Sequence, residues 1–585
     1  MNRIRIAALL FLLGFAAVAV KLFYIQVLKG EDYRILAENQ QTKTYELPAD
    51  RGKIFASDGV LVTNEEASLV SADPQLINDP KGVAEKIVPI LLEDQRFFSY
   101  NPIPLGTKGP EAYLIDKAKK ALSRTDLQWV ALAHKIPAAQ VEKLKDLQIN
   151  GVSFESEPLR FYPEGVMMAS LLGFVASDEE GKDKGYNGLE GYYDGDLQGV
   201  PGKSTREESR SNVPILIGSD VEIPPQNGAD LYLTIDRGVQ ELLERKIAEG
   251  VKRYGAKSGS FVVLDPKTGH VLAMGNYPSF DPGNFNPRLT GQEAKGKYKK
   301  EFRNLSITTT YEPGSIMKAV TLSAALDSGK VKPSWTFMDS GPLHLGASTI
   351  NTWNGEHWGK QTLSQLLQKS NNVGAAQLAL KVGSETLRSY FLNFGFGSRL
   401  GIDLSGEEAG LVKKLKDWRQ VDLATAGFGQ GVGVTPLQMA AAYGTIANGG
   451  ILMKPMVVEK IVNSDGREVA VDPSPIRRVI SQKTSDVMVE LLRSAVDGGE
   501  SIILRNFNYR VSGKTGTAQI PVRGRYDPNK TNVTFVGFPF KSRAFVMLIQ
   551  LQEPATSTFS ATTVVPLWVE AFQEIAPLFG ITPDK

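Results

Sequence analysis

The chain has 585 residues, of which 42% are hydrophobic and 22% are charged, and its formal net charge is +2. A chain of this length exceeds the ~250–300 residues at which single cores stop growing, so two or more folded domains are expected. The small net charge gives no signature of nucleic-acid binding, and the absence of cysteine removes thiolate nucleophiles and disulfides. With four scattered histidines, neither a metal nor a cofactor is expected.

An apolar segment at the N-terminus predicts a membrane anchor. Arg3 and Arg5 precede an apolar run over 6–20, and the segment 4–28 exceeds the roughly 20 residues that span hydrocarbon. The two arginines favour a cytoplasmic N-terminus. A cleaved signal peptide is the alternative, because 17–19 (Ala-Val-Ala) resembles a cleavage site, but the apolar character continues past it. Both interpretations put the rest of the chain outside the cytoplasm.

The segment 31–228 is polar, is broken by loops, and predicts an elongated α+β domain without obvious chemistry. Helical periodicity occurs at 82–92 and 116–122, whereas 45–48 and 60–63 look extended. A Pro-Pro-Gln-Asn-Gly cluster closes the segment and marks a domain boundary.

A second domain is predicted over 229–585. It opens with a strand at 231–235 and with Asp236 as the N-cap of the helix that follows. Two apolar strands at 260–265 and 270–275 are joined by a Pro-Lys-Thr-Gly turn.

Helical sequence then dominates 314–449. Strands return at 509–520, 531–538 and 544–552, before an amphipathic helix at 565–576. Strands at both ends with helices between them predict a sheet that is assembled from distant segments and covered by helices.

Without cysteine or clustered histidine, a nucleophile has to be serine, threonine or lysine. Ser315 and Lys318 stand three residues apart at the start of an apolar helical run, so their side chains share one helix face. The helix N-terminus stabilises developing negative charge, and a desolvated lysine can accept the serine proton. Taken alone, the pattern is better explained as an ordinary helix start with a solvated lysine.

Two further patterns favour an active site. The three patterns consist of Ser315 and Lys318, of Ser370, Asn371 and Asn372, and of Lys514, Thr515, Gly516 and Thr517. They match the set that active-serine penicillin-recognising proteins carry. The second pattern follows a predicted helix at 363–368 and supplies a polar loop, and the third lies in a predicted strand at 511–520 whose glycine lets a substrate approach.

Patterns this short recur by chance. Ser99-x-Asn101 repeats the second pattern and 267–269 repeats the third, but both copies precede Ser315, which is the wrong order. The run 267–269 is explained by the predicted hairpin turn. The first pattern has no second copy.

Longer runs extend the comparison to nearly the whole chain. They are 51–54 (Arg-Gly-Lys-Ile) with 58–59 (Asp-Gly), 160–163 (Arg-Phe-Tyr-Pro), 188–191 (Gly-Leu-Glu-Gly), 427–431 (Gly-Phe-Gly-Gln-Gly), 435–439 (Thr-Pro-Leu-Gln-Met) and 441–443 (Ala-Ala-Tyr). On these runs the chain resembles a class B penicillin-binding protein of the division-associated, FtsI-like type.

The resemblance implies an α+β multidomain fold. It comprises an anchor with a transmembrane helix over 1–30, a non-catalytic pedestal (penicillin-binding protein dimerisation) domain over 31–228 and a transpeptidase domain over 229–585. The last is expected to be an antiparallel sheet covered by helices, as in serine β-lactamases. No glycosyltransferase domain is expected.

It also implies a reaction, the cross-linking of peptidoglycan stem peptides. Ser315 would attack the penultimate D-alanine carbonyl of a stem pentapeptide, Lys318 would accept its proton, Ser370 would relay a proton to the leaving amine, and Asn372 would orient the substrate and Lys318. An amine from a second stem would then take the acyl group. β-Lactams would acylate Ser315 because they mimic the donor.

The resemblance assigns the late strand to substrate binding. Lys514 and Thr515 would hold the substrate carboxylate, with Gly516 beside them, and the backbone N–H groups of Ser315 and Thr517 would form the oxyanion hole. The implied partners are stem peptides on lipid-linked or nascent glycan, β-lactams, a SEDS-type glycan polymerase and other division proteins. The implied location is the inner membrane, crossed once, with the catalytic domain outside the cytoplasm.

Alternatives within and outside this class stay open. An elongation-type transpeptidase and a D,D-carboxypeptidase share the acylation step, and a non-enzymatic division scaffold is the alternative of a different class. A β-lactamase is disfavoured because no Glu-x-x-Leu-Asn arrangement for a hydrolytic water is present, and an antibiotic sensor is disfavoured because only a few residues precede the apolar segment. Ile316, Met317 and Asn371 replace commoner residues of the family, which puts the inhibitor spectrum in question. Tyr526 either lines the substrate groove or is a surface tyrosine.

Overall fold

The computed structural model describes residues 2–34, 42–104, 106–178, 181–207, 220–285, 302–499, 501–522 and 525–584. The chain forms two compact units, one of residues 1–51 with 198–228 and one of residues 52–197 with 229–585. We call them the anchor unit and the main unit. The domain boundaries predicted after residues 30 and 228 stay a prediction.

The anchor unit contains the apolar helix and a small sheet. The helix Asn2–Phe23 continues in a π-helical turn over Tyr24–Leu28. By length and composition the segment Arg3–Leu28, with a mean hydropathy of 2.5, is able to cross a membrane, although a signal sequence has the same properties. The strands of the sheet are antiparallel and comprise Thr42–Leu47, Gly202–Glu207 and Asp220–Ile223.

The part of the main unit before residue 198 contains a three-stranded antiparallel sheet and three helices. The strands are Ala67–Ala72, Val130–Pro137 and Val152–Ser156, and the helices are Pro80–Leu91, Pro110–Leu122 and Ala138–Asp146. The predicted helix at 82–92 is confirmed within two residues at each end. The helix predicted at 116–122 begins earlier, because Pro110 supplies a first helical position that periodicity alone does not reveal.

Shorter elements complete this part. They are the strands Phe174–Ser177 and Asp183–Tyr186 and the helical turns Pro74–Leu76, Phe97–Tyr100, Ala169–Leu172, Gly188–Tyr192 and Asp194–Leu197.

A mixed six-stranded sheet joins chain segments from either side of residue 228. In sheet order its strands are Glu468–Ala470, Val458–Val462, Asp230–Leu233, Ile54–Ala56, Gly59–Glu65 and Leu159–Phe161. Leu231 and Tyr232 pair in parallel with Ile54 and Phe55. The two parts of the main unit therefore share backbone hydrogen bonds.

A five-stranded antiparallel sheet forms the centre of the main unit. Its strands are β1 (Ser258–Leu264), β2 (Val271–Tyr277), β3 (Val511–Val522), β4 (Arg525–Pro539) and β5 (Val546–Gln552). They lie in the order β2-β1-β5-β4-β3, so β3 is an edge strand. The predicted sheet from distant segments is confirmed, and β4 begins before its predicted start at 531.

Helices cover both faces of this sheet. The helices used below are α1 (Arg237–Tyr254), α2 (Met317–Asp327), α3 (Asn372–Val382), α4 (Pro436–Ala447) and α5 (Val564–Ile575). Phe261 and Val263 belong to the hydrophobic core with α1 and α5, whereas Val262 and Leu264 belong to the core with α2 and α4. Because successive strand residues point to opposite faces, β1 is buried along its whole length. Asp236 caps α1 as predicted, by accepting a hydrogen bond from Val239 N.

The segment predicted as helical, 314–449, is interrupted by strands. Thr336–Asp339 pairs with Gly359–Thr362, and Leu343–Leu345 pairs with Ser348–Ile350. These strands have three or four residues, which is too short for a periodic pattern to register. Helices dominate the segment as predicted, and these short strands are the part that the pattern did not reveal.

The remaining elements of the main unit are short or peripheral. The helices and helical turns are Leu305–Thr308, Gly314–Ile316, Leu363–Gln368, Ser384–Asn393, Leu415–Asp417, Gln420–Ala426, Gln482–Asp497, Ile502–Arg505, Ser560–Thr562 and Ala576–Phe579, and the strands Ile451–Met453 and Pro475–Arg478 form a pair.

Candidate active site

Ser315 lies in a tight turn that leads into α2. The 3₁₀ turn Gly314–Ile316 precedes the helix, and Gly314 adopts a left-handed conformation with φ of 58°. A Cβ on Gly429 would come within 2.2 Å of Gly314 O, and Tyr443 OH donates a hydrogen bond to Ile316 O. Two of the late runs, 427–431 and 441–443, therefore support the backbone of this turn.

Lys318 is buried directly behind the Ser315 hydroxyl. It is 1% exposed, and its Nζ lies 2.9 Å from Ser315 Oγ. The same amine donates to Ser370 O at 2.5 Å and to Asn372 Oδ1 at 2.8 Å, and it lies 3.2 Å from Ser370 Oγ. A buried amine needs such partners, and an amine at this distance from a hydroxyl can accept its proton.

Ser370 bridges the two lysines of the site. Its Oγ donates to Ser315 Oγ at 2.8 Å and accepts from Lys514 Nζ at 3.2 Å. Its backbone is left-handed, with φ of 50°, which a non-glycine residue adopts only when its surroundings hold it there. Asn372, the first residue of α3, donates from Nδ2 to Asn351 O at 3.3 Å. The Ser-Asn-Asn turn thus faces the Ser315 hydroxyl.

The edge strand β3 carries the third pattern along the same groove. Lys514 is 4% exposed and also donates to Thr515 Oγ1 at 3.2 Å. A Cβ on Gly516 would come within 2.8 Å of Pro313 O, so this glycine lets the strand approach the Ser315 turn. Approach of a substrate at this glycine stays a prediction.

Ser560 fixes the strand from the other side and was missed by the reasoning from sequence. It is 2% exposed, and its Oγ donates to Gly516 O at 2.5 Å and lies 2.8 Å from Thr517 Oγ1. Ser560 N donates to Thr517 Oγ1 at 3.2 Å. No sequence signal distinguishes this serine from its neighbours in 555–563.

A groove of about 640 Å³ opens over these residues. It is lined by Ser315, Ser370, Asn372, Thr515 and Thr517 on the side of the three patterns. Trp353 and Phe559, whose rings lie 5.7 Å apart, form part of its wall. Its volume suits a ligand of peptide or antibiotic size.

Tyr526 lines the groove as well, which answers the question that the sequence left open. Its OH donates to Glu312 Oε2 at 3.0 Å, and Gly431 N donates to Glu312 Oε1 at 2.9 Å. Burial raises the pKa of Glu312, while these two hydrogen bonds oppose the rise.

The chance copies and the pedestal runs lie elsewhere. Ser99 is buried in the helical turn Phe97–Tyr100, and 267–269 form the turn between β1 and β2. Arg160 and Glu190 form a buried ion pair with 2.7 Å between Nε and Oε1. No group of three or more His, Cys, Asp or Glu side chains that could hold a metal occurs among the described residues.

A hydroxyl beside a buried amine, in a groove that admits a peptide, is the arrangement of a serine acyltransferase. The model of the family described as penicillin binding protein transpeptidase domain matches residues 259–567, and that of the penicillin-binding protein dimerisation domain matches residues 46–233. Stage V sporulation protein D of Bacillus subtilis is 30% identical over 581 residues, covering 98% of this chain and 85% of that protein.

Two further comparisons agree. Peptidoglycan D,D-transpeptidase FtsI of Escherichia coli is 28% identical over 582 residues, covering 99% of this chain and 91% of that protein. The crystal structure of penicillin binding protein 3 from Mycobacterium tuberculosis, complexed with ampicillin, is 26% identical with a TM-score of 0.67 and covers 92% of this chain and 98% of that chain.

The chain belongs to the class B penicillin-binding proteins, with a dimerisation domain followed by a transpeptidase domain. It is a serine-type D,D-transpeptidase with peptidoglycan as its substrate class, and β-lactams bind it.

Proposed function

We propose that Ser315 is the residue acylated by the donor stem peptide and that Lys318 accepts its proton. One observation carries this proposal: Lys318 Nζ lies 2.9 Å from Ser315 Oγ at a position with 1% exposure. Ser370 then passes the proton toward the departing D-alanine amine, since its Oγ lies within 3.2 Å of Lys318 Nζ. Asn372 Oδ1, which lies 2.8 Å from Lys318 Nζ, orients the lysine amine.

The late strand holds the donor in this proposal. Lys514 and Thr515 bind its terminal carboxylate through charge-assisted hydrogen bonds, and Gly516 keeps the strand close to the Ser315 turn. The backbone N–H groups of Ser315 and Thr517 stabilise the oxyanion. The amine of a second stem then attacks the ester carbonyl, so an amide forms, the bond to Ser315 Oγ breaks, and the hydroxyl regains its proton.

Covalent labelling tests the assignment. The purified full chain in detergent is expected to gain one penicillin adduct, and Ser315→Ala is expected to abolish it. Ser99→Ala, in the chance copy of the second pattern, is the matched control and should label like the wild type. An adduct that persists in Ser315→Ala would refute the proposal, and mass spectrometry of the digested adduct locates the site.

Cross-linking separates transpeptidation from the carboxypeptidase alternative. With a polymerised glycan carrying pentapeptides, the wild-type chain should yield dimeric muropeptides that Ser315→Ala does not. Release of D-alanine without dimers would favour a D,D-carboxypeptidase. Neither dimers nor release, from folded protein that fails to label, would favour the scaffold.

We propose that this activity serves the division septum. The proposal is supported by the FtsI relative from Escherichia coli, at 28% identity over 99% of this chain. A role in sporulation is the second candidate, because the relative that is 30% identical is a stage V sporulation protein. Depletion distinguishes them: filaments without septa support division, rounded cells favour elongation, and normal growth with failed sporulation favours the second candidate.

We further propose that the helix Asn2–Phe23 stays in the inner membrane and that 31–228 and 229–585, the pedestal and transpeptidase domains, lie outside the cytoplasm. Arg3 and Arg5 support this orientation. Protease added to spheroplasts should digest the catalytic domain, and protection from protease would contradict the orientation. The proposed partners are a SEDS-type glycan polymerase and other division proteins, to be sought by co-purification with the full chain.

A further inference from the structure

The middle residue of the Ser-Asn-Asn turn points away from the groove. Asn371 is 0% exposed, whereas Ser370 and Asn372 are partly exposed in the groove. Asn371 Oδ1 accepts a hydrogen bond from Gly374 N at 2.8 Å and so caps α3. Its Nδ2 donates to Asp339 Oδ2 at 2.7 Å. Both ends of its amide are therefore in use.

Asp339 is a buried carboxylate with three partners. It ends the strand Thr336–Asp339, and its side chain is 0% exposed. Besides Asn371, His357 Nδ1 lies 2.7 Å from Oδ1, and Trp358 N donates to Oδ2 at 3.3 Å. Since an ionised carboxylate only accepts hydrogen bonds, the proton of the imidazole is assigned to Nδ1.

These contacts connect two walls of the groove. We call residues 351–358 the groove loop. Its first residue, Asn351, accepts a hydrogen bond from Asn372, Trp353 in its middle lines the groove, and its last two residues contact Asp339. One side chain thus holds both the turn behind Ser370 and the end of the groove loop.

Packing along the strand reinforces the contact. The ring of Phe337 fills the space next to Gly374, where an added Cβ would come within 2.3 Å of it. Gln377 of α3 donates to Met338 O at 2.8 Å. The first half of α3 is therefore held against the strand Thr336–Asp339 by the apolar contact at Gly374 and by the hydrogen bonds of Asn371 and Gln377.

We propose that Asp339 is a positioning residue for the acylation of Ser315. By holding Asn371 it fixes the left-handed turn at Ser370, and with it the distances from Ser370 and Asn372 to Lys318. Without this anchor the turn relaxes, because an L-residue leaves the left-handed region when nothing holds it there. The inference rests on the proposed function, since it assumes that Ser315 is acylated.

Asp339→Asn tests the inference in the full chain in detergent. An amide has one acceptor oxygen where the carboxylate has two, so it cannot accept from His357 on one side and from Asn371 and Trp358 on the other side at the same time. The limiting rate of acylation by a fluorescent penicillin is expected to fall about 10- to 100-fold, as for the loss of one hydrogen bond to a charged group. The half-saturating concentration should change less than about two-fold, since Asp339 acts on the rate of the step rather than on binding.

Asp403→Asn is the matched control. Asp403 is 6% exposed and also accepts hydrogen bonds from three donors, but it does not line the groove. A merely structural role for Asp339 predicts that both variants lose stability and acylate alike. The inference predicts that Asp403→Asn loses stability and keeps the wild-type limiting rate.

The double exchange Asp339→Asn with Asn371→Asp supplies a rescue. The amide at residue 339 then donates to one carboxylate oxygen at residue 371, and the other oxygen at residue 371 still accepts from Gly374 N. The limiting rate should therefore recover at least about five-fold over Asp339→Asn. Asp339→Asn with a wild-type rate, or a folded double exchange no faster than Asp339→Asn, would overturn the inference. If Asp339→Asn does not fold, the double exchange is compared with wild type, and a loss beyond about 100-fold is the overturning result. Wild-type protein that is not labelled by the fluorescent penicillin would instead refute the proposed function.

Discussion

Ser560 acts on the late strand through its hydrogen bonds. Because its Oγ donates to Gly516 O, the Thr517 hydroxyl is left to donate to Ser560 Oγ while it accepts from Ser560 N. Ser560 thereby fixes the residue whose backbone N–H is proposed for the oxyanion hole. Donors of this kind stabilise a transition state only when they are held at the correct distance.

Ser560→Ala is therefore expected to slow acylation by fluorescent penicillin about ten-fold, less than the complete loss of an oxyanion donor. Ser557→Ala is the control, since the hydrogen bonds of the Ser557 hydroxyl within the described residues are to Thr562 and Phe559 of the same loop. Equal acylation rates for the two variants would show that Ser560 does not position the strand.

Glu244 is a buried carboxyl group far from the groove residues in sequence. It lies on α1, and its Oε1 accepts hydrogen bonds from Met168 N and Gln240 Nε2, each at 2.8 Å. Burial raises its pKa from 4.5 to about 7. Between these two values the folded protein binds more protons than the unfolded chain, so this group lowers stability as the pH rises from about 4.5 to about 7.

Glu244→Gln should remove this contribution and keep the acceptor. We expect the variant to be more stable than the wild type at pH 8, by about 1–3 kcal/mol, and to match it more closely near pH 5. Thermal unfolding at the two pH values measures the difference. Glu249→Gln, on the exposed part of the same helix, should leave the pH profile unchanged; a profile unaffected by Glu244→Gln would show that another group causes it.

The residues for which a chemical task is proposed were the ones that the sequence revealed. Ser315, Lys318 and Lys514 occur in short patterns with known chemistry, and the structure joins them through hydrogen bonds to the hydroxyls of Ser315 and Ser370. Asp339 and Ser560 act by holding those patterns, and they have no fixed spacing from them. Their partners are set by strands and loops that meet only in the folded chain.

At the scale of elements, three glycine contacts bring β3, the Ser315 turn and the segment 427–431 together. Gly314 has a left-handed backbone, and a Cβ on it would lie in tight contact with Thr517 O, at 3.0 Å. Gly429 approaches Gly314 O, and Gly516 approaches Pro313 O. The site therefore depends on backbone-to-backbone packing that side chains would prevent.

Gly516→Ala is expected to separate β3 from the Ser315 turn. Its Cβ would lie 2.8 Å from a backbone oxygen, which cannot rotate away, so acylation should fall at least about ten-fold while the protein stays folded. Gly238→Ala, at the start of α1, has its nearest contact at 3.4 Å and should keep the wild-type rate and at least the wild-type stability. A wild-type rate for Gly516→Ala would contradict the role given to this contact.

Long periodic elements were predictable and short ones were not. The strands β1, β2, β3 and β5 and the helices α1 and α5 agree with the apolar patterns, because each buries a regular face. The strand Thr336–Asp339 escaped because four residues show no period, and yet it carries the carboxylate behind the Ser-Asn-Asn turn.

At the scale of the main unit, the part before residue 198 is joined to the part after residue 228. The six-stranded sheet pairs Leu231 and Tyr232 with Ile54 and Phe55. Tyr193 OH donates to Asp403 Oδ2 at 3.1 Å, and the two oxygens of Asp403 accept from Val457 N and Val458 N. Burial raises the pKa of Asp403, and these hydrogen bonds oppose the rise.

The main unit should accordingly unfold in one cooperative transition. Asp403→Asn puts an amide donor against backbone donors. We expect it to lower the free energy of unfolding by about 1–3 kcal/mol and to move the single unfolding transition to a lower temperature without splitting it. Calorimetry measures the number of unfolding transitions, and hydrogen-exchange mass spectrometry locates them. We expect 52–197 and 229–585 to lose protection from exchange at the same temperature. Two separated transitions would mean that the parts are independent.

The order of strands in the central sheet has a consequence for the newly synthesised chain. β5 lies between β1 and β4, so the sheet cannot close until residues 546–552 have been made, long after Ser315 and Ser370. Chains are synthesised from the N-terminus, and non-local pairing is slow. In an incomplete chain Ser315 lacks the lysine-bearing strand beside it, so we expect penicillin added to growing cells to label completed chains and not those still being synthesised.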